Sequence, residues 1–331
     1  MKFSIGKMRH CFVLIGLGSL LAGCQSESPE PEMPGIGTVD VQFQVSAPEE
    51  LETRTGQAGN SRLGGLANVD FEKYDLRYQL AVYRVDGDRL VEAVTPQAQI
   101  VDAYEPVTYS LKLTPDRQYK VVVWADFVKQ GETVDLHYNT ADFRDITVAD
   151  AVVNDESKDA FSISQDFVAG ESVPPLTLKR PFAKLRIVTT DWNQSGLEMP
   201  DNFKVTYFGC TRFDHFDAAT GVPVGEVLPD DGNIVYTGSI NKAQKEYTED
   251  YDASEHNRTL VVDYLMTDSG QPSAVHFTFE ALNGEVPVAS YRFDTDIPIQ
   301  RNWLTTVIGN TLTQEGTGMT VSVDREMNYN Y

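Results

Sequence analysis

Cysteine is scarce in this 331-residue chain: Cys11 and Cys24 lie near the N-terminus and Cys210 far from both. No CxxC redox or metal pair exists. Histidine is nearly as sparse, and His137, His215, His256 and His276 fall on different predicted elements without metal-ligand spacing, so they read as ordinary strand or surface residues. HExxH, GxSxG, Walker and Rossmann glycine patterns are all missing. The acid-rich stretches "TEDYDASE" and "LPDDGN" lack the alternating ligands of an EF-hand loop and read as solvated loops. No catalytic residue, metal site or cofactor can therefore be named, and an enzyme is not expected. Basic residues are also in deficit, 27 Lys and Arg against 49 Asp and Glu, which makes nucleic acid and anionic lipid surfaces poor partners. Long amphipathic helices are missing as well.

What is present begins at the N-terminus. "MKFSIGKMRH" carries Lys2, Lys7 and Arg9 and no acid, and the apolar run from Cys11 to Ala22 is too short to span a bilayer. This is the layout of a secretory signal, residues 1–23. Its end, "LLAGC", resembles the lipobox of bacterial lipoproteins, which makes Cys24 the lipidation site. Each buried methylene of an acyl chain contributes about 0.8 kcal/mol, so a multiply acylated cysteine is a firm membrane anchor. Residues 24–37, beginning "CQSESPEPEMPG", have the Ser, Glu and Pro content of a flexible tether. Removing the signal takes away its three basic residues and moves the net charge from −22 to −25. With Cys11 removed and Cys24 lipidated, Cys210 is left with no partner for an intrachain disulfide.

Beyond the tether nearly every apolar segment alternates with period two between Gly, Pro, Asn or Asp, the signature of strands with one buried face. "TVDVQFQVS", "DLRYQLAVYRV", "PVTYSLKL", "QYKVVVWADF", "LTLKRPFAKLRIVTT", "FKVTYFGC", "TLVVDYLMT", "VHFTFEAL", "VASYRF", "WLTTVIGN" and "GMTVSVDREMNYNY" are the strand candidates. "ADAVVNDESKDAFS" is the one candidate for a short helix. The pattern predicts an all-β chain of β-sandwiches. Two prolines in "GESVPPLTLKR" place a boundary near residue 178, giving an N-terminal domain over 38–178 and a C-terminal domain over 179–331. Trp124 and Trp303 lie in apolar runs and are expected in the core. Trp192, at a strand end, is expected at the surface as a candidate sugar-stacking platform.

Both ends of the mature chain stand out. Val39, Val41, Phe43 and Val45 share one face of a first strand, and Asp40, Gln42 and Gln44 the other. A polar, Gly-rich stretch with Arg54 and Arg62 follows, the composition of a site open to proteolysis. At the C-terminus Met319, Val321, Val323, Met327, Tyr329 and Tyr331 alternate with Thr320, Ser322, Asp324, Glu326, Asn328 and Asn330, Arg325 alone breaking the apolar face. Such a strand either completes its own sheet or fills a groove elsewhere.

"LTLKRPFAKLRIV", "IPIQRNWLTTVIGNTLT" and "RQYKVVVWADF" together resemble the fimbrillin superfamily of Bacteroidales, subunits of type V pili, over nearly all of the mature chain. The block from Arg301 to Thr313 and the strand around Trp124 are its most recognisable parts. The resemblance implies two tandem transthyretin-like β-sandwich domains, a surface lipoprotein precursor at the outer membrane, and assembly into a fimbrium that serves cell adhesion. It further implies that an arginine-specific protease cuts between Arg54 and Thr55, that the strand carrying Val39, Val41, Phe43 and Val45 is lost, and that a strand of the next pilus subunit takes its place. The incoming face would be Met319, Val321, Val323, Met327 and Tyr329. The competing expectation is a monomeric surface lipoprotein that binds glycan or a host protein.

Overall fold

The computed structural model describes residues 37–48, 69–149, 154–192, 199–209, 212–227, 234–240, 258–267, 272–312 and 320–324. The expected lipid site Cys24, the processing pair Arg54 and Thr55, Arg62, Cys210, Met319, Met327, Tyr329 and Tyr331 lie outside these. Before residue 178 run β1 (Val39–Ser46), β2 (Tyr74–Asp86), β3 (Arg89–Val101), β4 (Val107–Leu113), β5 (Gln118–Lys129), β6 (Tyr138–Asn139), β7 (Ile146–Val148), β8 (Ala160–Val168) and β9 (Leu176–Thr177). After it run β10 (Phe182–Thr189), β11 (Asn202–Phe208), β12 (Arg212–Asp217), β13 (Val222–Val227), β14 (Ile234–Ser239), β15 (Arg258–Met266), β16 (Ser273–Asn283), β17 (Val286–Ile299), β18 (Leu304–Gly309) and β19 (Thr320–Asp324). No helix among the described residues is long and apolar enough to cross a membrane.

The strands form five sheets, ordered β4-β1-β9, β3-β2-β5-β8, β13-β12-β7-β6, β15-β10-β18-β19 and β14-β11-β16-β17. Alternation explains how they stack. Leu76, Tyr78, Leu80 and Val82 of β2 and Tyr119, Val121, Val123, Ala125 and Phe127 of β5 point to one side, where they meet Val41, Phe43 and Val45 of β1 and the inward face of β4. The β10 and β11 sheets close over a second core that includes Leu185, Ile187, Phe203, Val205, Phe277, Phe279 and Val307. A third core lies between, built from Ala81, Tyr83, Val122 and Trp124 on the other face of β2 and β5 and from Phe182, Phe216, Val262, Tyr264 and Met266 beyond residue 178. Burial on both faces is why β5 reads as the unbroken run "VVVW" rather than as an alternation.

Three local expectations are corrected. Of the helix expected within 149–162, the described residues 154–162 hold a single 3-10 turn, Glu156–Lys158, capped by Asp155, whose carboxylate accepts from the Ser157 N–H at 2.9 Å, and β8 begins at Ala160. "LTLKRPFAKLRIVTT" is two strands, β9 and β10, because Pro181 has no N–H for a ladder and Arg180 turns inward to Asp159. Trp192 is buried in the second core, with the Arg258 guanidinium 4.8 Å above its ring, so it offers no sugar-stacking face. Trp124 and Trp303 are buried as expected.

Candidate functional site

β1 is the centre of the three-stranded sheet. It pairs antiparallel with β4 over seven positions, from Val39 opposite Leu113 to Val45 opposite Val107, and parallel with β9 through Val45–Leu176 and Ser46–Thr177. Within the described ladders β4 and β9 pair with nothing else. Removing β1 would therefore leave both without a strand partner, and their inward side chains without a cover.

The side chains follow the expected faces. Val41, Phe43 and Val45 are 5%, 0% and 0% exposed and Val39 is half-buried, whereas Asp40, Gln42 and Gln44 face solvent. Phe43 stands edge-on to Phe167 at 5.2 Å, and Phe167 stacks on Tyr119 at 5.7 Å. Three buried side chains of this size contribute roughly 5 to 9 kcal/mol of transfer free energy, an upper bound that is comparable to the whole stability of an ordinary domain. The strand's end is pinned by the Leu178 N–H, which donates to the Ser46 carbonyl at 3.0 Å, and by the Ala47 N–H, which donates to the Tyr78 hydroxyl at 3.2 Å. Burial raises the Tyr78 phenol to about 12, so it stays neutral as an acceptor at ordinary pH.

β19 lies elsewhere. It forms the edge of the β15-β10-β18-β19 sheet, antiparallel to β18, with Val321 opposite Val307 and Val323 opposite Thr305. Val321 is 38% exposed. Within one chain the two candidate strands thus sit in different sheets.

The periodicity gave no sign of the charges buried beside these cores. Arg180 and Asp159, both essentially inaccessible, form a bidentate pair at 2.7–2.9 Å. Burial opposes the Arg180 charge, and Asp159 more than restores it, leaving the guanidinium pKa raised. Arg77 pairs with Asp126 at 2.8–2.9 Å and with Asp135 at 2.7 Å. Burial also works against the Glu156 carboxylate, but Lys184 at 2.7 and 3.0 Å and the Tyr264 hydroxyl at 2.8 Å outweigh it and hold its pKa below the ordinary value. These groups pair with one another across elements distant in sequence. His137 bonds Ser157, His215 meets Asp145 and His276 meets Asp296. Among the described residues no group of three or more His, Cys, Asp or Glu is placed to hold a metal ion. Between β4 and β9 the described structure holds β1 as the central strand.

Layered, sandwich-like sheets make this an essentially all-β protein. The chain belongs to the family of unknown function DUF6562, whose family model matches residues 33–331. No curated protein matches it. Similar solved structures include a candidate cell adhesion protein from Bacteroides ovatus, 14% identical with a TM-score of 0.44 over 87% of this chain and 96% of that one. A fimbrial assembly protein from Parabacteroides distasonis is 13% identical, with a TM-score of 0.39 over 87% and 99%. The C-terminally truncated tip fimbrial protein Mfa3 from Porphyromonas gingivalis is 10% identical, with a TM-score of 0.40 over 86% and 99%.

Proposed function

We propose that this chain is a structural subunit of a cell-surface fimbria of the type V kind, with a role in adhesion. In this reading it is exported as a lipoprotein on Cys24, cut between Arg54 and Thr55 by an arginine-specific protease, and polymerised by strand exchange. Residues 38–178 and 179–331 are then two tandem transthyretin-like domains behind the signal 1–23 and the tether 24–37.

One observation carries the proposal: among the described residues β1 alone joins β4 to β9. β1 ends at Ser46, so a cut after Arg54 severs its covalent link to the rest of the chain. Its loss leaves apolar seats at alternate positions beside two unpaired strands, an arrangement that invites strand addition from another chain. Met319, Val321, Val323, Met327 and Tyr329 offer apolar residues at the required spacing of two. Slipping the register by one residue would send Thr320, Ser322 and Asp324 into the core, which makes the exchange selective.

A second reading, a resident surface lipoprotein that binds glycan or a host protein, is favoured by the pairing of β19 with β18 in its own chain. The two separate in one assay. Purified precursor treated with an arginine-specific protease should form ladders on unboiled gels, and an Arg54→Ala, Arg62→Ala double variant should stay monomeric. Changing Val321 and Val323 to Asp should abolish laddering of the trimmed protein, whereas Ser322→Asp should not. Absence of ladders from the trimmed wild type, or a Val321, Val323 variant whose uncut monomer already unfolds, supports the resident lipoprotein.

A further inference from the structure

Strand exchange does not explain the sequence block that begins at Arg301. Just before β18 the chain turns at Asn302, which adopts φ +64° and donates its N–H to the Phe182 carbonyl at 2.7 Å. Arg301 reaches outward from the same turn. Its Nε donates to the Arg180 carbonyl at 3.0 Å and its Nη1 to the Gly221 carbonyl at 2.9 Å, and its guanidinium sits 5.4 Å from the centre of the Phe216 ring. Gly221 closes the β12–β13 hairpin at φ +71°, a conformation open to glycine and strained for most side chains. One side chain thus holds together the start of β18, the β9–β10 connection and the tip of that hairpin.

The hairpin is one of the elements that cross between the two parts of the chain, beside the third core and the bonds of Asn154 and Glu156 to β10 and β15. β12 and β13 come after residue 178 and β6 and β7 before it, yet the four share one sheet. The joining ladder is short, His215 opposite Thr147 and Phe216 opposite Ile146. Around it the Ala218 N–H donates to the Phe143 carbonyl at 2.8 Å, His215 Nδ1 lies 2.6 Å from an Asp145 oxygen, and Phe216 packs 5.9 Å from Trp124. Two pairs are too few to fix a register unaided. Arg180, whose carbonyl receives Arg301, is itself locked to Asp159 on the other side of residue 178. A planar guanidinium with several fixed donors suits such a bridge better than an ammonium on a flexible stem.

We propose that Arg301 is a positioning residue: it holds the β12–β13 hairpin in register for β7 and thereby couples the parts before and after residue 178 into one cooperative body. The proposal does not depend on polymerisation. Calorimetry and amide hydrogen exchange on the full chain, as wild type, Arg301→Ala and Arg301→Lys, test it. Wild type should melt in one transition. Arg301→Ala should split this into two, and should speed exchange in 143–148 and 212–227 by roughly tenfold or more, the scale expected when a charged donor's hydrogen bonds are lost. Exchange in β11 and β16 should keep its wild-type rate. Lys keeps the charge but lacks the planar fork of fixed donors, so Arg301→Lys should show the same local pattern in weaker form, and it carries the test should the Ala variant not fold. A single transition in every variant that folds, or exchange that rises equally in β11 and β16, would overturn the assignment.

Discussion

Phe43→Ala is the substitution that probes β1 most sharply. The ring is fully buried, stands edge-on to Phe167 and lies at the middle of the β1–β4 ladder, opposite Tyr109. Truncation removes the transfer free energy of an aromatic side chain and leaves a cavity that β4 and β5 cannot readily close, a combined cost of about 3 to 5 kcal/mol. Gln42 and Gln44 flank it on the solvent face, and their alanine variants should stay within about 0.5 kcal/mol of wild type. Urea denaturation of the uncut protein, followed by fluorescence, measures all three. Should Phe43→Ala cost less than about 1 kcal/mol, β1 would not be the cover of the first core, and the reasoning that its loss opens a groove would fail. A synthetic peptide covering 38–48 extends the test: added to protein trimmed after Arg54, it should restore the lost stability, and its Phe43→Ala version should not.

Two further outcomes concern the buried charges. Asp159→Asn leaves Arg180 charged and uncompensated in the interior and should cost about 3 to 5 kcal/mol, much of it recovered when Arg180→Met is added; equal losses in the single and double variants, read by urea denaturation, would contradict this. Because the folded pKa of Glu156 is depressed, its contribution is complete above the unfolded value near 4.5 and is lost as pH falls through the lower folded value. Glu156→Gln should therefore be less stable than wild type at neutral pH and lose less on acidification, so parallel melting-temperature curves between about pH 5 and about pH 3 would refute the assignment.

How much of this was legible in the sequence depended on whether the signal was local. β1 and β4 alternate strictly and read directly as one-faced strands. β3 does not: Pro96 interrupts it, and the proline is accommodated because β3 is an edge strand with a register shift opposite Leu80 and Val82. β6 and β7, two and three residues long, are too short to show a period. Only the first three residues of β8 fell within the helix candidate 149–162, because the acid-rich segment before the strand masks where it starts. The face of β1 was visible from Val39 to Val45, but its parallel pairing with β9, more than a hundred residues away, leaves no local trace. The same holds for Arg180 and Asp159, and for Arg301, whose partners Arg180 and Gly221 are distant in sequence. Trp192 was misplaced because a strand end flanked by polar residues looks exposed until another sheet covers it.

The central claim is that β1 is removed at the cell surface so that another strand can take its place. Mass spectrometry of the mature N-terminus, on protein taken from the native cell surface and resolved by size, tests it most directly. The account predicts Thr55 as the first residue in the high-mass material and β1 missing from it. A lipid-bearing Cys24 as the first residue throughout, with β1 still attached, would contradict it.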